Sequence, residues 1–539
     1  MTHLQKLLST TFFALLFVLF TPLAIEHGFA EFVREGETNS RIAWFLILLA
    51  FAYSHRNLLI HRIMLLIFLI SGGMDIAYAT TFGGVFTTAS FEALALTDPH
   101  EAGEFLQAYG KLTNILIITS YVLLSCFFIW KTRVYRAQTR TQKTFVTLGF
   151  ILLAIVGYRI VIMQKFHDTI PGFMGTAASY FRGTGDVQAE ITARKLMVTA
   201  YQQPINASDT DTAQTYIVLI GESLTRNHMG LYGYSRDTTP ELNKLQNELL
   251  KFDNTISSHA QTQPSLRNAL TQSSTQNKIA LQDALSLVDL ANKAGFKTWW
   301  ISNQQPLRAT LSAIASSAQE TQFISNDFHG VENRRYDSFM LPYVEKALAD
   351  TSAHKVIFIH MMGSHLQYAN RYPEDFAQFS DYNVSSFITP PTDRIVNYIN
   401  QYDNSVRYTD YFVGQVLNKL KQQQGINAAL FFSDHGEEVY QSMDFLGHGP
   451  DNPSHNMFEI PLLVWTSPAY QQTRATTYQT MQQHVSAPFM LDDLYQFAGS
   501  IMGIHSATLI PELSPADPAY TAKPRIVYNR NYDEVFKQR

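Results

Sequence analysis

The chain has 539 residues and a formal net charge of −5, and 46% of its residues are hydrophobic. This length allows more than one folded unit, and the weakly acidic balance gives no reason to expect a nucleic acid partner. The single cysteine, Cys126, lies in an apolar run, which excludes both a disulfide framework and a thiolate metal site.

Apolar runs dominate the first 165 residues, at positions 7–25, 41–54, 62–80, 113–130 and 145–163. Several approach the roughly 20 residues that a helix needs to cross a bilayer. Segments such as FLILLAFAY have no polar face of helical period, which argues against a soluble helical bundle. No small-residue cleavage pattern follows the first run, so it is interpreted as a span rather than a signal peptide. We therefore expect about five transmembrane helices in residues 1–165.

The charges of the connecting loops predict the orientation of these spans. Basic residues without any acidic residue follow the fourth run, namely Lys131, Arg133, Arg136, Arg140 and Lys143. The loop after the second run carries Arg56 and Arg62, whereas the loops after the first and third runs are acid-rich. Because basic loops stay on the cytoplasmic side, we expect a cytoplasmic N-terminus and an external C-terminal part. This arrangement indicates a multi-pass protein of the bacterial inner membrane that acts on lipids or lipid-linked glycans in the periplasm.

The polar composition of residues 166–210 predicts a helical bridge. In the remainder, residues 211–539, strand patterns alternate with helix patterns. Continuous apolar stretches of strand length occur at 216–221, 296–302, 355–360, 428–433 and 461–466. Helical patterns lie between them, as at 285–294, 338–350 and 395–420. This alternation predicts an α/β domain with a mostly parallel central sheet covered by helices on both faces.

Polar residues with metal-binding side chains follow several of these predicted strands. Glu222 comes after the first strand, Asp434 and His435 after the fourth, and His360 and His365 at or after the third. His448 and His455 lie farther along. Ligands of parallel sheets bind beyond the carboxyl ends of the strands, where these residues would meet. Carboxylates with imidazole suit Zn²⁺.

Thr262, in the stretch HAQTQPSLRNALT, allows two interpretations. As a helix N-cap followed by Pro264 it would have only a structural role. As a fourth ligand beside Glu222, Asp434 and His435, its hydroxyl would gain nucleophilic character from the metal. The alternative hydroxyls nearby are Ser257, Ser258 and Ser265.

Several motifs in this chain resemble those of membrane-anchored phosphoethanolamine transferases, which belong to the alkaline phosphatase and sulfatase superfamily. They are IGESLTRNHMGLYGYSRDTTP (220–240), WISNQQ (300–305), YDSFMLPYV (336–344), HMMGSHLQYANRYP (360–373), YDNSVRYTDYF (402–412), SDHGEE (433–438) and GHGPDNPSHN (447–456). The resemblance is closest to members that modify core sugars of lipopolysaccharide. It implies zinc as cofactor, a threonine nucleophile at Thr262, and a ligand set of Glu222, Thr262, Asp434 and His435.

The resemblance also implies substrate-binding residues. His365 and His448 match positions that bind the phosphate and assist catalysis, and His455 is a further substrate-binding candidate. Thr97 and Glu101 fit a loop that holds the donor head group, although an expected asparagine is Ala93. Arg308 stands near the place of an expected lysine. The family's CGTAT-like stretch is AQTQPS here, and the cysteines that form disulfides in some members are missing.

The expected reaction is a double displacement by a monomeric enzyme. Phosphoethanolamine passes from phosphatidylethanolamine to Thr262, and then to lipopolysaccharide or lipooligosaccharide, on a core sugar or lipid A. Alternatives are a phosphoglycerol transferase of the lipoteichoic acid synthase type, a sulfatase or phosphodiesterase-like hydrolase, and a membrane-anchored ligand-binding protein. TQPSLR resembles a sulfatase signature, but a threonine cannot become the formylglycine that sulfatases require.

Overall fold

A computed structural model describes residues 10–30, 36–54, 57–87, 90–91, 94–95, 103, 109–134, 137–166, 168–183, 187–209, 211–304, 310–324, 336–450 and 452–536. The chain divides into two compact units, Met1–Gly185 and Asp186–Arg539. The segment 166–210, expected to be a bridge, contributes one helix to each unit.

The first unit consists of helices. They are α1 (Thr10–Phe29), α2 (Glu37–Ala52), α3 (Leu58–Phe82), α4 (Leu112–Lys131), α5 (Arg140–Val161) and α6 (Gly172–Gly183). Each of the five predicted apolar runs falls on one of α1 to α5. Among the described residues, α1, α3, α4 and α5 are long and apolar enough to cross a membrane, whereas α2 has 16 residues. Large apolar side chains such as Leu123 on α4 and Val161 on α5 are exposed, as lipid-facing residues would be.

A buried ion cluster joins three of these helices. Arg41 on α2 pairs with Glu37 at 2.6 Å and with Asp75 on α3 at 3.0 Å. Glu37 also accepts a hydrogen bond from the backbone N–H of Gly172, and Asp75 accepts one from Phe173 at 2.7 Å. These two carboxylates therefore cap the positive N-terminus of α6, and the ionised side chains are paired as the membrane interior requires.

Helices and strands alternate in the second unit. Its helices are α7 (Val187–Ala200), α8 (Pro240–Lys244), α9 (Thr262–Leu270), α10 (Leu287–Lys293), α11 (Thr310–Ala315), α12 (Leu341–Leu348), α13 (Asp393–Leu420), α14 (Pro468–Thr473), α15 (Ala475–His484), α16 (Leu494–Ile501) and α17 (Tyr532–Val535). The strands of its main sheet are β1 (Gln214–Gly221), β2 (Leu249–Phe252), β3 (Lys297–Ser302), β4 (Glu320–Phe323), β5 (His354–His360), β6 (Ile426–Ser433) and β7 (Leu462–Thr466).

Short strand pairs accompany the main sheet. Ile205–Ala207 pairs with Ile504–Ser506, and Glu438–Val439 pairs with Leu446–Gly447, both antiparallel. Thr255–Ile256 pairs with Phe489–Met490 in parallel. Ile526–Val527 pairs with Arg530–Asn531 as an antiparallel hairpin.

The main sheet has seven strands in the order β2-β7-β6-β1-β5-β3-β4. β7 is antiparallel to both of its neighbours, and the other pairings are parallel, so six strands run in one direction. All five predicted strands are present, and the predicted α/β fold with a mostly parallel sheet is confirmed. The unpredicted strands, β2 and β4, have four residues each and lie at the edges of the sheet.

The register brings the carboxyl ends of the central strands together. Ile220 on β1 pairs with His360 on β5 and with Phe432 on β6. Successive side chains point to opposite faces, so Val218 and Leu219 enter different hydrophobic cores. Every residue of β1 and β6 is buried. The polar residues that follow these two strands must therefore meet at one edge of the sheet.

Candidate active site

Glu222 and Asp434 directly follow the adjacent central strands β1 and β6, and Ser223 connects them. The backbone N–H of Ser223 donates to Oδ1 of Asp434 at 3.1 Å, and its hydroxyl donates to Oε1 of Glu222 at 2.8 Å. Ser223 has a φ of 54°, a left-handed conformation that is uncommon for a residue other than glycine. Its carbonyl accepts a hydrogen bond from the Tyr402 hydroxyl at 2.8 Å, which holds this turn.

The ring of His435 is oriented by its own chain. Nδ1 lies 2.8 Å from the carbonyl of Gly436, so this nitrogen carries the proton and donates. Nε2 therefore faces the carboxylates, at 3.4 Å from Oε1 of Glu222 and 3.3 Å from Oδ2 of Asp434. A metal ion that takes the place of the proton on Nε2 would be bound by this nitrogen while Nδ1 keeps its hydrogen bond.

Thr262 lies at the same place. Its Oγ1 is 3.3 Å from each carboxylate oxygen of Glu222 and 3.3 Å from Nε2 of His435. The interpretation of Thr262 as an N-cap does not hold, since Gln261 occupies that position in extended conformation and Thr262 is the first residue of α9. Because the N-cap position of the helix is Gln261, the Thr262 hydroxyl has no capping role. Thr262 as a whole is partly exposed to solvent, whereas Glu222, Asp434 and His435 are buried.

The alternative hydroxyls are bonded elsewhere. Ser257 donates to the carbonyl of His259, and Ser258 bonds to the ring of His259. Ser265 donates to the carbonyl of Asp434 at 2.5 Å. Of these four hydroxyls, that of Thr262 is the one in contact with both Glu222 and His435.

The donor set fits a zinc ion. Ligand atoms of Glu222, Asp434 and His435 all lie within 4.8 Å of one another, and these side chains are at most 1% exposed. Oδ2 of Asp434 is buried and accepts no hydrogen bond from any described residue. A buried carboxylate oxygen without a donor is costly unless a cation takes that place. Together with the Thr262 hydroxyl, these groups are the oxygen and nitrogen donors that catalytic zinc accepts.

The electrostatics of this pocket favour a positive charge. Burial opposes protonation of His435, but the negative charges of Asp434 and Glu222 raise its pKa to about 10. Burial raises the pKa of Asp434 well above its ordinary value, and the charge of Glu222 raises it further. Burial alone would raise the pKa of Glu222, but the hydrogen bond and charge of His435 outweigh burial and hold this pKa well below its ordinary value. Two buried carboxylates thus attract a cation into the pocket.

His448 lies beside the cluster, and a third buried carboxylate, that of Glu437, holds it. Its Nδ1 is 2.6 Å from Oε2 of Glu437, and its ring centroid is 4.0 Å from that of His435. The other oxygen of Glu437 accepts a hydrogen bond from the Tyr368 hydroxyl at 2.7 Å. Burial and the charge of His435 lower the pKa of His448. A neutral His448 with Nδ1–H bound to Glu437 can accept a proton at Nε2.

The other two histidines occupy different surroundings. His365 is close enough to Glu222 for its charge to lower the pKa of that carboxyl, and its Nδ1 is buried without a hydrogen bond to any described residue. His455 instead acts on the pKa of Glu459, which belongs to a polar group with Arg226 and Asn227. The structure therefore brings His365 close to Glu222, whereas His455 lies close to Glu459.

Gln304 contributes a contact that the sequence did not indicate. Its side-chain amide donates to Oε2 of Glu222 at 2.9 Å and to the carbonyl of Met361 at 3.0 Å. Arg308, a predicted substrate contact, lies outside the described residues, as do Thr97, Glu101 and Ala93.

Three supporting residues, Ser223, Gln304 and Glu437, were not singled out from the sequence. Each lies inside a quoted motif, IGES, WISNQQ or SDHGEE. Their place in those motifs is the sequence feature that could have identified them. Their hydrogen-bond partners could not be predicted, because these depend on contacts between separate loops.

Comparisons with known proteins identify the family of this chain. A family model described as Sulfatase matches residues 214–504, and one described as Phosphoethanolamine transferase EptA/EptB matches residues 42–174. Phosphoethanolamine transferase EptC from Escherichia coli (strain RS218) is 30% identical over 477 residues, which are 84% of this chain and 82% of that protein.

Solved structures are similar as well. The C-terminal periplasmic domain of EptC from Escherichia coli, in complex with Zn, is 29% identical with a TM-score of 0.57, covering 62% of this chain and 94% of that one. The integral membrane protein lipooligosaccharide phosphoethanolamine transferase A from Neisseria meningitidis has a TM-score of 0.65 at 20% identity, covering 94% and 97%, and it shows the fold alone. With its apolar N-terminal helices and its sulfatase domain, the chain belongs to the phosphoethanolamine transferase family.

Proposed function

We propose that this chain transfers phosphoethanolamine from phosphatidylethanolamine to lipopolysaccharide or lipooligosaccharide through a covalent phosphothreonine at residue 262. The observation that carries the proposal is the position of Thr262. Its hydroxyl lies 3.3 Å from both Glu222 and His435, at the first turn of α9, and the residue is partly exposed to solvent. The N-terminus of a helix stabilises negative charge, such as that of a phosphoryl group bound to this oxygen.

Glu222, Thr262, Asp434 and His435 would hold one Zn²⁺. When bound, zinc supplies a positive charge that favours the ionised form of a coordinated hydroxyl and offsets charge on the phosphate. Gln304 and Ser223 keep the Glu222 carboxylate in place by their hydrogen bonds to its two oxygens. The Gly436 carbonyl fixes the orientation of the His435 ring. Supporting hydrogen bonds of this kind orient the ligands of a metal ion and also affect how tightly the ion binds.

In the first half of the reaction, Oγ1 of Thr262 forms a bond to phosphorus and the bond from phosphorus to the diacylglycerol oxygen breaks. The proton of the Thr262 hydroxyl passes through Nε2 of His448 to the departing oxygen, which leaves as diacylglycerol. His365 donates a hydrogen bond to the phosphate oxygens as charge develops there, and His448 does so while its Nε2 carries that proton. Positioning and charge stabilisation supply most of the catalysis in such phosphoryl transfers.

In the second half, an acceptor oxygen on the glycan bonds to phosphorus and the bond to Thr262 breaks. His448 accepts the acceptor's proton at Nε2, because Glu437 occupies its Nδ1 at 2.6 Å. This proton then passes to Oγ1 of Thr262, which restores the threonine hydroxyl. Both substrates are lipids, so confinement to a membrane raises their concentration at the site.

We place the chain in the bacterial inner membrane with a cytoplasmic N-terminus, a periplasmic catalytic unit and a monomeric state. The basic loops of the first unit and the names of the similar structures support this location. Thr97, Glu101 and Arg308 remain proposed contacts of the donor, and His455 remains a proposed substrate contact.

The proposal is tested with purified full-length protein in detergent, Zn²⁺ and a fluorescent phosphatidylethanolamine. Wild type should release labelled diacylglycerol and carry phosphoethanolamine on the peptide that contains residue 262. Thr262→Ala should abolish both signals, whereas the matched variant Thr262→Ser, which keeps a hydroxyl, should retain part of them. Turnover of phosphatidylglycerol alone would indicate a phosphoglycerol transferase, and hydrolysis of an aryl sulfate alone would indicate a sulfatase. Binding of the lipid without product would indicate a binding protein.

A further inference from the structure

A hairpin of residues 526–531 contains two successive residues in the left-handed conformation. Its strands, Ile526–Val527 and Arg530–Asn531, are joined by Tyr528 and Asn529, with φ angles of 46° and 63°. This conformation is unfavourable for an ordinary side chain, and asparagine tolerates it better than tyrosine does. A tyrosine held in this conformation needs compensating contacts.

Those contacts are made with the segment that leads into Thr262. The hydroxyl of Tyr528 accepts a hydrogen bond from the backbone N–H of Ala260 at 3.1 Å, across 268 positions of sequence. The Tyr528 ring also packs edge-on against His259 and Phe458, with centroids 5.8 and 5.9 Å away. Ala260 is fully buried, so this bond satisfies an N–H group that water cannot reach.

The hairpin is anchored independently of Tyr528. Arg525 is 1% exposed, donates to the carbonyl of Asn254 at 2.9 Å and pairs with Asp533. Tyr532 donates to Oε1 of Glu459 at 2.8 Å. The hairpin therefore holds both ends of the segment 254–260, at Asn254 through Arg525 and at Ala260 through Tyr528.

Thr262 lies between two fixed points as a result. On one side, Ala260 is bound to Tyr528 at 3.1 Å. On the other, Ser265 is bound to the carbonyl of Asp434 at 2.5 Å. Gln261 lies between the first of these points and the nucleophile, with no capping bond from its side chain. The position of Oγ1 relative to Glu222 thus depends on where Tyr528 holds the incoming chain.

We propose that Tyr528 is a positioning residue for the reaction, which sets the place of the Thr262 hydroxyl from a hairpin outside the site. This inference rests on the proposed function, in which Thr262 is the nucleophile. Removing the Tyr528 hydroxyl leaves the other three proposed zinc ligands, Glu222, Asp434 and His435, and the substrate-binding histidines in place. It releases the N–H of Ala260 and lets the hydroxyl of Thr262 move away from the line of attack. Small misplacements of a reacting group lower turnover strongly while substrate binding persists.

The test is Tyr528→Phe in the full-length protein, assayed for diacylglycerol release from fluorescent phosphatidylethanolamine. Tyr470→Phe is the matched control, because it also removes one tyrosine hydroxyl, which donates to the carbonyl of Ile501 at 3.0 Å away from the site. Zinc content and the midpoint of thermal unfolding are measured for both variants. We expect kcat of Tyr528→Phe to fall about tenfold or more, with KM, zinc content and midpoint matching those of Tyr470→Phe.

Three outcomes would overturn the inference. In the first, Tyr528→Phe has the kcat of Tyr470→Phe, so the hydroxyl has no effect on the nucleophile. In the second, kcat falls only in proportion to lost zinc or a lowered unfolding midpoint, which is a general structural effect. In the third, wild type releases no lipid product and Thr262→Ala changes nothing, so the proposed function has failed as well. The first two leave the proposed function intact, which distinguishes the two failures.

Discussion

Oγ1 of Thr262 lies 3.3 Å from Nε2 of His435, although 173 positions separate the two residues in the chain. The topology accounts for this contact. His435 follows β6 by two residues, and Thr262 begins α9, whose Ser265 donates a hydrogen bond to the carbonyl of Asp434 at the same strand end. A hydroxyl, an imidazole and two carboxylates are therefore collected where an α/β domain binds its ligands.

Asp434→Asn should lower zinc affinity more than about 100-fold, since the loss of a supporting residue alone costs about 10–100-fold. The neutral amide removes the charge of the carboxylate whose Oδ2 accepts no hydrogen bond from a described residue. Zinc per protein is measured by mass spectrometry after dialysis against a graded series of chelator concentrations. Asp444→Asn, the same change at an exposed carboxylate, should retain wild-type zinc. Equal zinc in the two variants would show that Asp434 is not a ligand.

Glu437→Gln should lower kcat about tenfold without removing zinc. The amide keeps the shape of the side chain but loses the charge that binds Nδ1 of His448 at 2.6 Å, so the ring is held less firmly. Initial rates of diacylglycerol release and zinc content are the measurements. Tyr368→Phe removes only a hydrogen bond to the other oxygen of Glu437, so its effect should be smaller. Wild-type kcat in Glu437→Gln would contradict the role assigned to the pair.

The sequence predicted the central strands and the residues at their ends for one physical reason. A buried parallel strand is a continuous apolar run, and its end is marked by the first polar residues, here Glu222 and Asp434. The edge strands β2 and β4 escaped prediction because four residues with mixed polarity carry no such pattern. The role of Thr262 as ligand and nucleophile was predicted from its chemistry and from the family resemblance, and it stays a prediction. Its exact place in α9 was not predicted, because the N-cap is Gln261.

Contacts between loops were beyond prediction from the sequence. Gln304 reaches Glu222 across 82 positions and Ser223 reaches Asp434 across 211, and either pairing depends on the conformation of two loops together. In the first unit, Arg41 was counted within an apolar run. Hydropathy averages over such a run, so it could not indicate the ion pairs of Arg41 with Glu37 and Asp75.

Gly363→Ala should destabilise the catalytic unit and disturb the zinc site together. Gly363 has a φ of 52°, and an added Cβ would lie 2.7 Å from the carbonyl oxygen and 2.9 Å from the nitrogen of Glu222. Backbone atoms cannot yield to such a clash without moving that ligand, so we expect a loss of about 1–3 kcal/mol and lower zinc affinity.

The matched control for this change is Gly233→Ala. Gly233 also has a positive φ, 99°, but an added Cβ would meet nothing within 4 Å. It carries the conformational cost of a left-handed alanine, about 1–2 kcal/mol, without the clash. Thermal unfolding and zinc titration of both variants separate the two effects. If Gly233→Ala lost as much zinc affinity as Gly363→Ala, the contact with Glu222 would not be the cause.

Asp410 should make the stability of the catalytic unit depend on pH. Its carboxylate accepts hydrogen bonds from the backbone of Glu241 at 2.8 Å and Leu242 at 2.9 Å, at the start of α8. Burial nevertheless raises the pKa of Asp410 to about 7, whereas an unfolded aspartate has a pKa of about 3.9. Between these values the folded state binds more protons than the unfolded state. The free energy of unfolding contributed by this group therefore falls as pH rises from about 4 to about 7, and is constant above that.

Asp410→Asn should remove this component, because an amide does not titrate. The midpoint of thermal unfolding of the full-length protein is followed from about pH 4 to about pH 8 for wild type and for the variant. Other groups titrate equally in both proteins, so the difference between the two midpoints isolates Asp410. We expect wild type to lose stability relative to Asp410→Asn as pH rises through this window, since each unit of pKa difference corresponds to about 1.4 kcal/mol. Parallel curves would mean that Asp410 ionises alike in the folded and unfolded states, and that its hydrogen bonds at α8 offset its burial.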